Sequence, residues 1–579
     1  MKKLMTVLLA LALITALSLT ALASGEPSAQ PSGEASGAAE ATTIRVFQTT
    51  DIHGYLMDTS SGEESTFQYR LAYIAGLVND ARTSGAYDDV LLLDGGDTYQ
   101  GTPVSNLIMG TALRAALDAM DYDAVVLGNH EFDWGVEEYC ADPDATVPAY
   151  NIGGFTGDPD IPILAADLYY AGTNTRVGFT RDYVVVEKAG CRIALIGYIP
   201  DFTMEIMAEK IAPYAIDDSL ARLAERVRQI NAAENPDVTV VMAHEAPEAI
   251  AAYLSPAEVD LVTGGHRHAG KAGVSDSGIP YIQGGFYGQG YAAATIVIAP
   301  DGTVTVEDPQ YTGITQNRAA LYDTAENAGS LDQAVMAISY AAWNDVKDEM
   351  SEVLGYIDTP VDRTGTGDNG ATYAGNWITG LMLRATEDQG AVAAFYNSGG
   401  IRTSFTIPAG QTTRILTAGD IYTIAPFCNY LYVYDLTGAE LARQLQDGFR
   451  NGNYGDQMSG LTFTYEASGY GRDAVITIRS ITLDDGTQVD IHDDTTLYRV
   501  CTSNYSGTLE GSVFSTKDPV FPAAEAPIDN ITMIDLLRQE ARDNMGYITV
   551  DTAPRGICLN PEAASGEISA SGEPSGGAS

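Results

Sequence analysis

Short apolar runs recur along the first half of the chain at residues 46–50, 90–93, 124–127, 238–243 and 259–263, and each ends abruptly in polar residues. Runs this short, rich in Val and closed by Gly, Asp or His, predict buried strands. Between them, residues 71–82 and 219–230 carry apolar positions at helical spacing. Alternation of this kind predicts an α/β fold. Residues 292–306 predict a hairpin with Asp301-Gly302 at its turn. Residues 319–352 predict a long helix with Met336, Ile338 and Trp343 among its apolar positions, a spacer or hinge element. From about Gly355 a second alternating region begins. A helical pattern opens at Asn376-Trp377, strands follow at 391–396, 431–436 and 473–481, and residues 533–545 predict a late helix.

The polar residues that end the strands carry the chemistry. Asp51 and His53 follow the first run, Asp94 and Asp97 the second, and Gly128-Asn129-His130-Glu131 with Asp133 the third. His244 follows the fourth, and Gly264-Gly265-His266-Arg267-His268 the fifth. Five of the chain's six histidines sit in these segments, leaving only His492 outside. Open α/β sheets place their ligands at strand ends. Imidazole and carboxylate without thiolate suit a borderline or hard divalent metal. Asp51, His53, Asp97, Asn129, His244, His266 and His268 are too many donors for one ion, but would fill two sites if a carboxylate bridged them. His130 is then left to act on substrate, with Asp133 three residues on to orient its ring. The bland alternative is a turn at Asn129-His130 with Glu131 and Asp133 as plain exposed charges, while Arg267 reads as a solvent- or phosphate-facing charge.

In order and spacing, the segments TTDIHG, GGDTYQG, GNHEFDWG, MAHEA and GGHRH resemble the motifs of the calcineurin-like metallophosphoesterases, within them the 5'-nucleotidase and UDP-sugar hydrolase family. The later segments NSGGIR, Pro426-Phe427 and LTGAEL resemble that family's substrate-binding domain, so the likeness runs from about residue 42 to 545. It implies an N-terminal two-sheet metallophosphoesterase sandwich flanked by helices (42–318), a helical linker (319–352) and a C-terminal α/β substrate-binding domain (353–560). It also implies two divalent ions (Zn, Mn or Co), with Asp97 bridging them. Asp51, His53 and His268 would hold one, and Asn129, His244 and His266 the other. Asn397, Gly399, Gly400 and Arg402 would meet substrate. Phe427 and Tyr505 would sandwich a nucleobase, or else be ordinary core aromatics.

Departures from the family pattern bear on the substrate. A Gly-Gly-Asp segment expected after Tyr505 is replaced by Gly507-Thr508-Leu509-Glu510-Gly511, and the arginine expected shortly before Gly375-Asn376 is missing. Ala246 stands where Gly is usual after the fourth-strand histidine. The expected activity is release of phosphate from nucleotides. A 2',3'-cyclic-nucleotide phosphodiesterase, a nucleotide-sugar hydrolase and a binding protein without turnover are the alternatives.

Composition narrows the setting. Residues 1–23 join Lys2 and Lys3 to an apolar stretch ending Ala21-Leu22-Ala23, which predicts a cleaved secretory signal peptide, with an uncleaved anchor as the alternative. Residues 24–41 and 561–579 are rich in Ser, Gly, Glu, Pro and Ala, share the segment SGEPS, and predict disorder. A secreted or extracytoplasmic protein without stable membrane insertion is expected. The net charge of −46, from 31 basic and 77 acidic residues, argues against a nucleic-acid polymer as partner. An acidic chain that binds a small phosphate ester needs metal to supply positive charge. The five cysteines show no metal spacing, and buried free thiols are the favoured reading.

Overall fold

The structure, a computed structural model, describes residues 40–560 except 60–63, 202–205, 207, 365–370, 449–455, 469–474, 510 and 522–525. The predicted signal peptide, residues 24–39 and 561–579 of the low-complexity tails, Glu510 and part of the segment before Gly375 lie outside the described residues.

Two six-stranded sheets organise the first half. The central strands of the first are Thr42–Thr49, Asp89–Asp94 and Ala124–Val126, all parallel. The hairpin Gly290–Ile298 with Val304–Gly313 adds the antiparallel edge. In the second sheet Cys191–Tyr198, Val238–Ala243, Leu261–Gly264 and Pro280–Gly284 run parallel, with antiparallel strands at both edges. The period-two alternation of a strand explains why its residues serve two layers. Val240 and Met242 enter the apolar cluster that also holds Ile44, Val46 and Leu91 of the first sheet. Val241 and Ala243 meet Leu223, Val227 and Ile230 of helix Leu220–Glu234. Because all these parallel strands point the same way, their polar ends collect at one edge of the sandwich.

The expected helix over 319–352 is shorter in the structure. Thr315–Leu321 is a 3-10 turn, and the α-helix is Gln333–Met350, started by Asp332, whose carboxylate accepts from Ala334 N and Val335 N. It does not stand free as a spacer. Val335, Met336, Ile338, Ala342 and Val346 are buried in the core of the first half, and Asp332 N bonds Ala72 O at 2.9 Å. Its C-terminal end meets the second half, where Tyr422 Oη donates to Glu349 Oε1 at 2.6 Å.

The second half holds two four-stranded sheets, one ordered Leu431–Thr437, Leu497–Ser503, Ala393–Asn397, Asp456–Ser459. Helix Tyr373–Ala385 is capped by Thr372 and contributes Trp377, Ile378 and Leu381 to a separate core. All five cysteines are free. Cys140 and Cys501 are buried, but Cys428 is exposed.

Candidate active site

Backbone strain marks the cluster. Asp51, His53, Asp97, His266 and His268 have φ of 51°, 48°, 54°, 67° and 44°. Non-glycine residues rarely adopt this left-handed region, and such strain persists where surrounding structure enforces it, commonly at functional sites. The enforcement is visible: Asp51 N bonds Gly96 O at 2.8 Å, His53 N bonds Asp97 O at 2.8 Å, and His266 N bonds Asp51 Oδ2 at 3.0 Å. Adjacent strand-end loops therefore hold one another.

Three groups of donor atoms lie within 4.8 Å of one another: Asp51, His53 and His268; Asp97, His244 and His266; and His53, Asp97 and His130. Asn129 Oδ1 lies 3.1 Å from His266 Nδ1, which brings the asparagine to the second group. His53 donates Nδ1–H to Gln100 O at 2.9 Å and His244 donates Nδ1–H to Gly95 O at 2.5 Å. Each ring thus turns Nε2 toward the cluster, and a backbone carbonyl fixes the tautomer. His53 Nε2 stands 3.0 Å from His268 Nε2, and His244 Nε2 stands 3.3 Å from Asp97 Oδ2. Asp51 Oδ1 is buried without a hydrogen-bond partner. A buried carboxylate oxygen without a partner, facing nitrogen donors, is costly unless a cation completes it. The donor set fits divalent metal.

Electrostatics agree. Burial pushes the Asp51 carboxyl up to about 7. Burial also raises Asp97, but His244, His130 and His53 around it outweigh this and hold it well below the usual range. Burial drives His53 well below its ordinary value and takes His268 to about 4, with neighbouring cations adding to the effect, so both rings are neutral and can ligate. Burial opposes charge on His244, yet Asp97 raises it to about 10. In the same way Asp133 and Asp97 overcome burial to raise His130 to about 9.

His130, a member of the third donor group, is held by bonds of its own. Its Nδ1 bonds Asp133 Oδ2 at 2.7 Å and its backbone N bonds Asp97 Oδ1 at 2.9 Å. The alternative in which Glu131 is a plain exposed charge does not hold. Glu131 is buried, and its carboxylate accepts from Gly128 N at 2.7 Å, Thr98 N at 2.8 Å and Asp97 N at 2.9 Å. It clamps the second strand-end loop to the third. The bond back to a backbone N–H three residues earlier repeats the spacing of a capping box, the one signal that could have identified it. A Cβ at Gly128 would collide with Asp97 Oδ1, which is why glycine stands there.

A cavity of about 420 Å³ opens on this cluster. Asp97, Asn129, His130, Asp133, His266, Arg267 and His268 line one side, and Asn397, Gly399, Gly400, Arg402, Phe427, Asn429 and Tyr505 line the other. Every substrate residue expected from sequence therefore reaches one cavity, and Asn429 was not anticipated. Asn429 reaches it from a buried network, its Nδ2 lying 3.3 Å from Asp529 Oδ2. The Arg402 guanidinium lies 5.4 Å from the Phe427 ring centroid, and its Nη2 is 3.3 Å from Tyr287 Oη. The ring of Phe286 stacks on His268 at 5.1 Å and Tyr287 meets it edge-on at 5.2 Å, aromatic packing that sequence reading missed.

Residues 44–270 match the calcineurin-like phosphoesterase family, and residues 353–516 match the 5'-nucleotidase C-terminal domain. A trifunctional nucleotide phosphoesterase of Bacillus subtilis is 26% identical over 503 residues, covering 80% of this chain and 32% of the relative. A cell wall protein of Listeria monocytogenes is 26% identical over 502 residues, covering 78% of this chain and 62% of the relative. The chain thus spans about a third and about three fifths of these two relatives. A solved 5'-nucleotidase precursor from Thermus thermophilus superposes with a TM-score of 0.66 at 22% identity, covering 90% of this chain and 99% of that one, and so shares the fold. Both matches fall on the residues that build the donor cluster and the cavity, so the chain carries a calcineurin-like phosphoesterase domain followed by a 5'-nucleotidase C-terminal domain.

Proposed function

We propose that the chain is an exported phosphohydrolase that uses two divalent ions to release phosphate from nucleotides. The observation that supports this most is the shared cavity, which sets the histidine and aspartate cluster against Arg402, Phe427 and Tyr505. Asp97 would lie between the ions, with Asp51, His53 and His268 on one side and Asn129, His244 and His266 on the other. Zn, Mn and Co all suit these nitrogen and oxygen donors. When bound, such ions supply Lewis-acid charge to a phosphoryl oxygen and to the attacking water.

The protein's own groups do the rest. Asp133 keeps the His130 Nδ1 proton in place and thereby presents Nε2 to the cavity. With His130 raised to about 9, Nε2 carries a proton at neutral pH that can pass to the leaving oxygen or stabilise charge developing on it. Cations bound beside Asp97 would pull that value down toward the working range. Arg402 offers a planar fork to an anionic group, while Phe427 and Tyr505 offer ring faces to a base. Glycine at 400 is required by packing, since a Cβ there would collide with the Tyr396 ring, whereas Gly399 beside it has room and leaves its backbone open at the cavity.

Export rests on the leader at residues 1–23, and the cell wall relative from Listeria monocytogenes is in keeping with it. Among the described residues no helix is long and apolar enough to cross a membrane. A second reading, hydrolysis of 2',3'-cyclic nucleotides or nucleotide sugars, is favoured by the changed segment after Tyr505. The Bacillus relative is itself named a trifunctional nucleotide phosphoesterase.

A screen of phosphate release by the purified, Mn-loaded chain over nucleoside monophosphates, cyclic nucleotides and nucleotide sugars tests both readings. Preference for monophosphates is expected. Turnover confined to the cyclic compounds would favour the second reading, and no turnover on any of them would remove both.

A further inference from the structure

Glu245 and Arg267 form a pair that the chemistry above leaves unused. Glu245 follows His244 at the end of strand Val238–Ala243, and Arg267 stands between His266 and His268 after the neighbouring parallel strand Leu261–Gly264. The guanidinium presents Nε and Nη2 to the two carboxylate oxygens, both at 2.6 Å, a bidentate fit. Ala246 N donates to Glu245 Oε1 at 2.6 Å, which fixes the carboxylate in turn. Beneath Arg267 the backbone is also set: its N bonds Gly265 O at 2.7 Å, and the histidines on either side are both left-handed.

A solvent-exposed ion pair contributes little to stability, and the Arg267 side chain is 51% exposed. Its position is more informative. In a chain with 31 basic residues against 77 acidic ones, Arg267 lines the same cavity as Asp97, His130 and the two flanking histidines. Arg402 serves the opposite wall, over the Phe427 ring. A cation at the metal end of the cavity meets the phosphate rather than the base.

We propose that Arg267, oriented by Glu245, is a specificity residue that recognises the second negative charge of a phosphomonoester and sets the preference of the site for monoesters over diesters. The proposal rests on the phosphohydrolase reading above. A monoester phosphate carries about −1.5 to −2 charge at neutral pH and has three oxygens available to donors. A diester carries one charge and spends one of those oxygens on its second ester bond. With the Nε–Nη2 edge held by Glu245, the Nη1–Nη2 edge of the guanidinium is left to meet the additional charged oxygen, and Glu245 acts as a positioning residue.

The test compares wild type with Arg267→Ala, Arg267→Lys and Glu245→Gln, all Mn-loaded, on p-nitrophenyl phosphate and bis(p-nitrophenyl) phosphate, neither of which has a nucleobase. Metal content and calorimetric binding of inorganic phosphate are measured on the same preparations. Arg267→Ala should raise KM for the monoester and weaken phosphate binding by about ten-fold or more, while kcat stays within about three-fold and the diester KM hardly moves. Arg267→Lys should recover part of the loss, and Glu245→Gln should show a smaller shift in the same direction. Equal losses on both esters, or a fall in metal content, would overturn the proposal and make the pair a tie between two loops. Unchanged phosphate binding in Arg267→Ala would overturn it as well. Should wild type hydrolyse neither ester, the phosphohydrolase reading fails, and phosphate binding by the same variants still decides the role of Arg267.

Discussion

The ring of Phe427 stacks on the imidazole of His130, with centroids 5.8 Å apart and planes 27° apart. One ring comes from the half of the chain that carries the donor cluster and the other from the half that carries NSGGIR. The loop bearing Phe427 is also tied across the same boundary, because Asn106 Nδ2 donates to Pro426 O at 2.7 Å. On the proposed function, Phe427 would therefore support the acid as well as face a base. Phe427→Ala should impair both a nucleotide and a small aryl phosphate. Tyr505→Ala should raise KM for the nucleotide by roughly ten-fold, since stacking contributes about 1–3 kcal/mol per base, and should spare the aryl phosphate. Equal effects of Tyr505→Ala on both substrates would contradict a role in holding the base.

Chemistry and metal retention should separate by residue. His130→Ala removes the proton donor without removing a donor of the two outer groups, so kcat should fall by about 10²–10⁴ with metal content kept. Asp97→Asn should lower metal occupancy itself, because Asp97 is placed between the histidine groups. Metal analysis beside steady-state kinetics checks both. Full activity and full metal in both variants would show that the site is misassigned.

Metal uptake should release protons. Burial holds Asp51 at about 7, and Asp97 holds His244 at about 10, so both carry protons near neutral pH before ions bind. Ions must displace them. Fewer protons remain to be displaced as pH rises, so apparent affinity should strengthen by about ten-fold or more between pH 6 and pH 8. Titration in weakly buffered solution should show acidification, and a pH-independent affinity without it would contradict these assignments.

Glu131 should matter to stability more than its place in a polar motif suggests. Glu131→Ala leaves three buried backbone N–H groups without their acceptor. At about 1–3 kcal/mol for each unsatisfied group, the loss should exceed roughly 2 kcal/mol even after local relaxation. Denaturant unfolding measures it, and stability equal to wild type would rule out the clamping role.

These residues also show where sequence reading succeeds and where it stops. Strand ends were legible because apolar runs break sharply at Asp51, Asp94 and Gly128, and parallel strands bring such breaks to one edge. The donor cluster followed from residue type and position alone. Glu131 was missed because burial of a carboxylate depends on backbone N–H groups from Asp97 and Thr98, more than thirty residues away in sequence. The helix expected from 319 was overextended because Ala, Asp and Glu continue a helical composition through residues 319–331, which lie before the Asp332 cap that starts the helix. Its supposed spacer role failed because apolar spacing shows that a face is buried and not what buries it. Asn429 reaches the cavity through contacts with Asp529, a hundred residues on, which no local pattern encodes.

The central claim is that two divalent ions in the strand-end cluster carry phosphate release. The most direct measurement is phosphate release per chain against metal content, for protein stripped by chelator and then titrated with Mn, Co or Zn. Activity should vanish on stripping and return in step with metal, reaching its plateau at about two ions per chain. Full activity in a preparation verified to be metal-free would contradict the account.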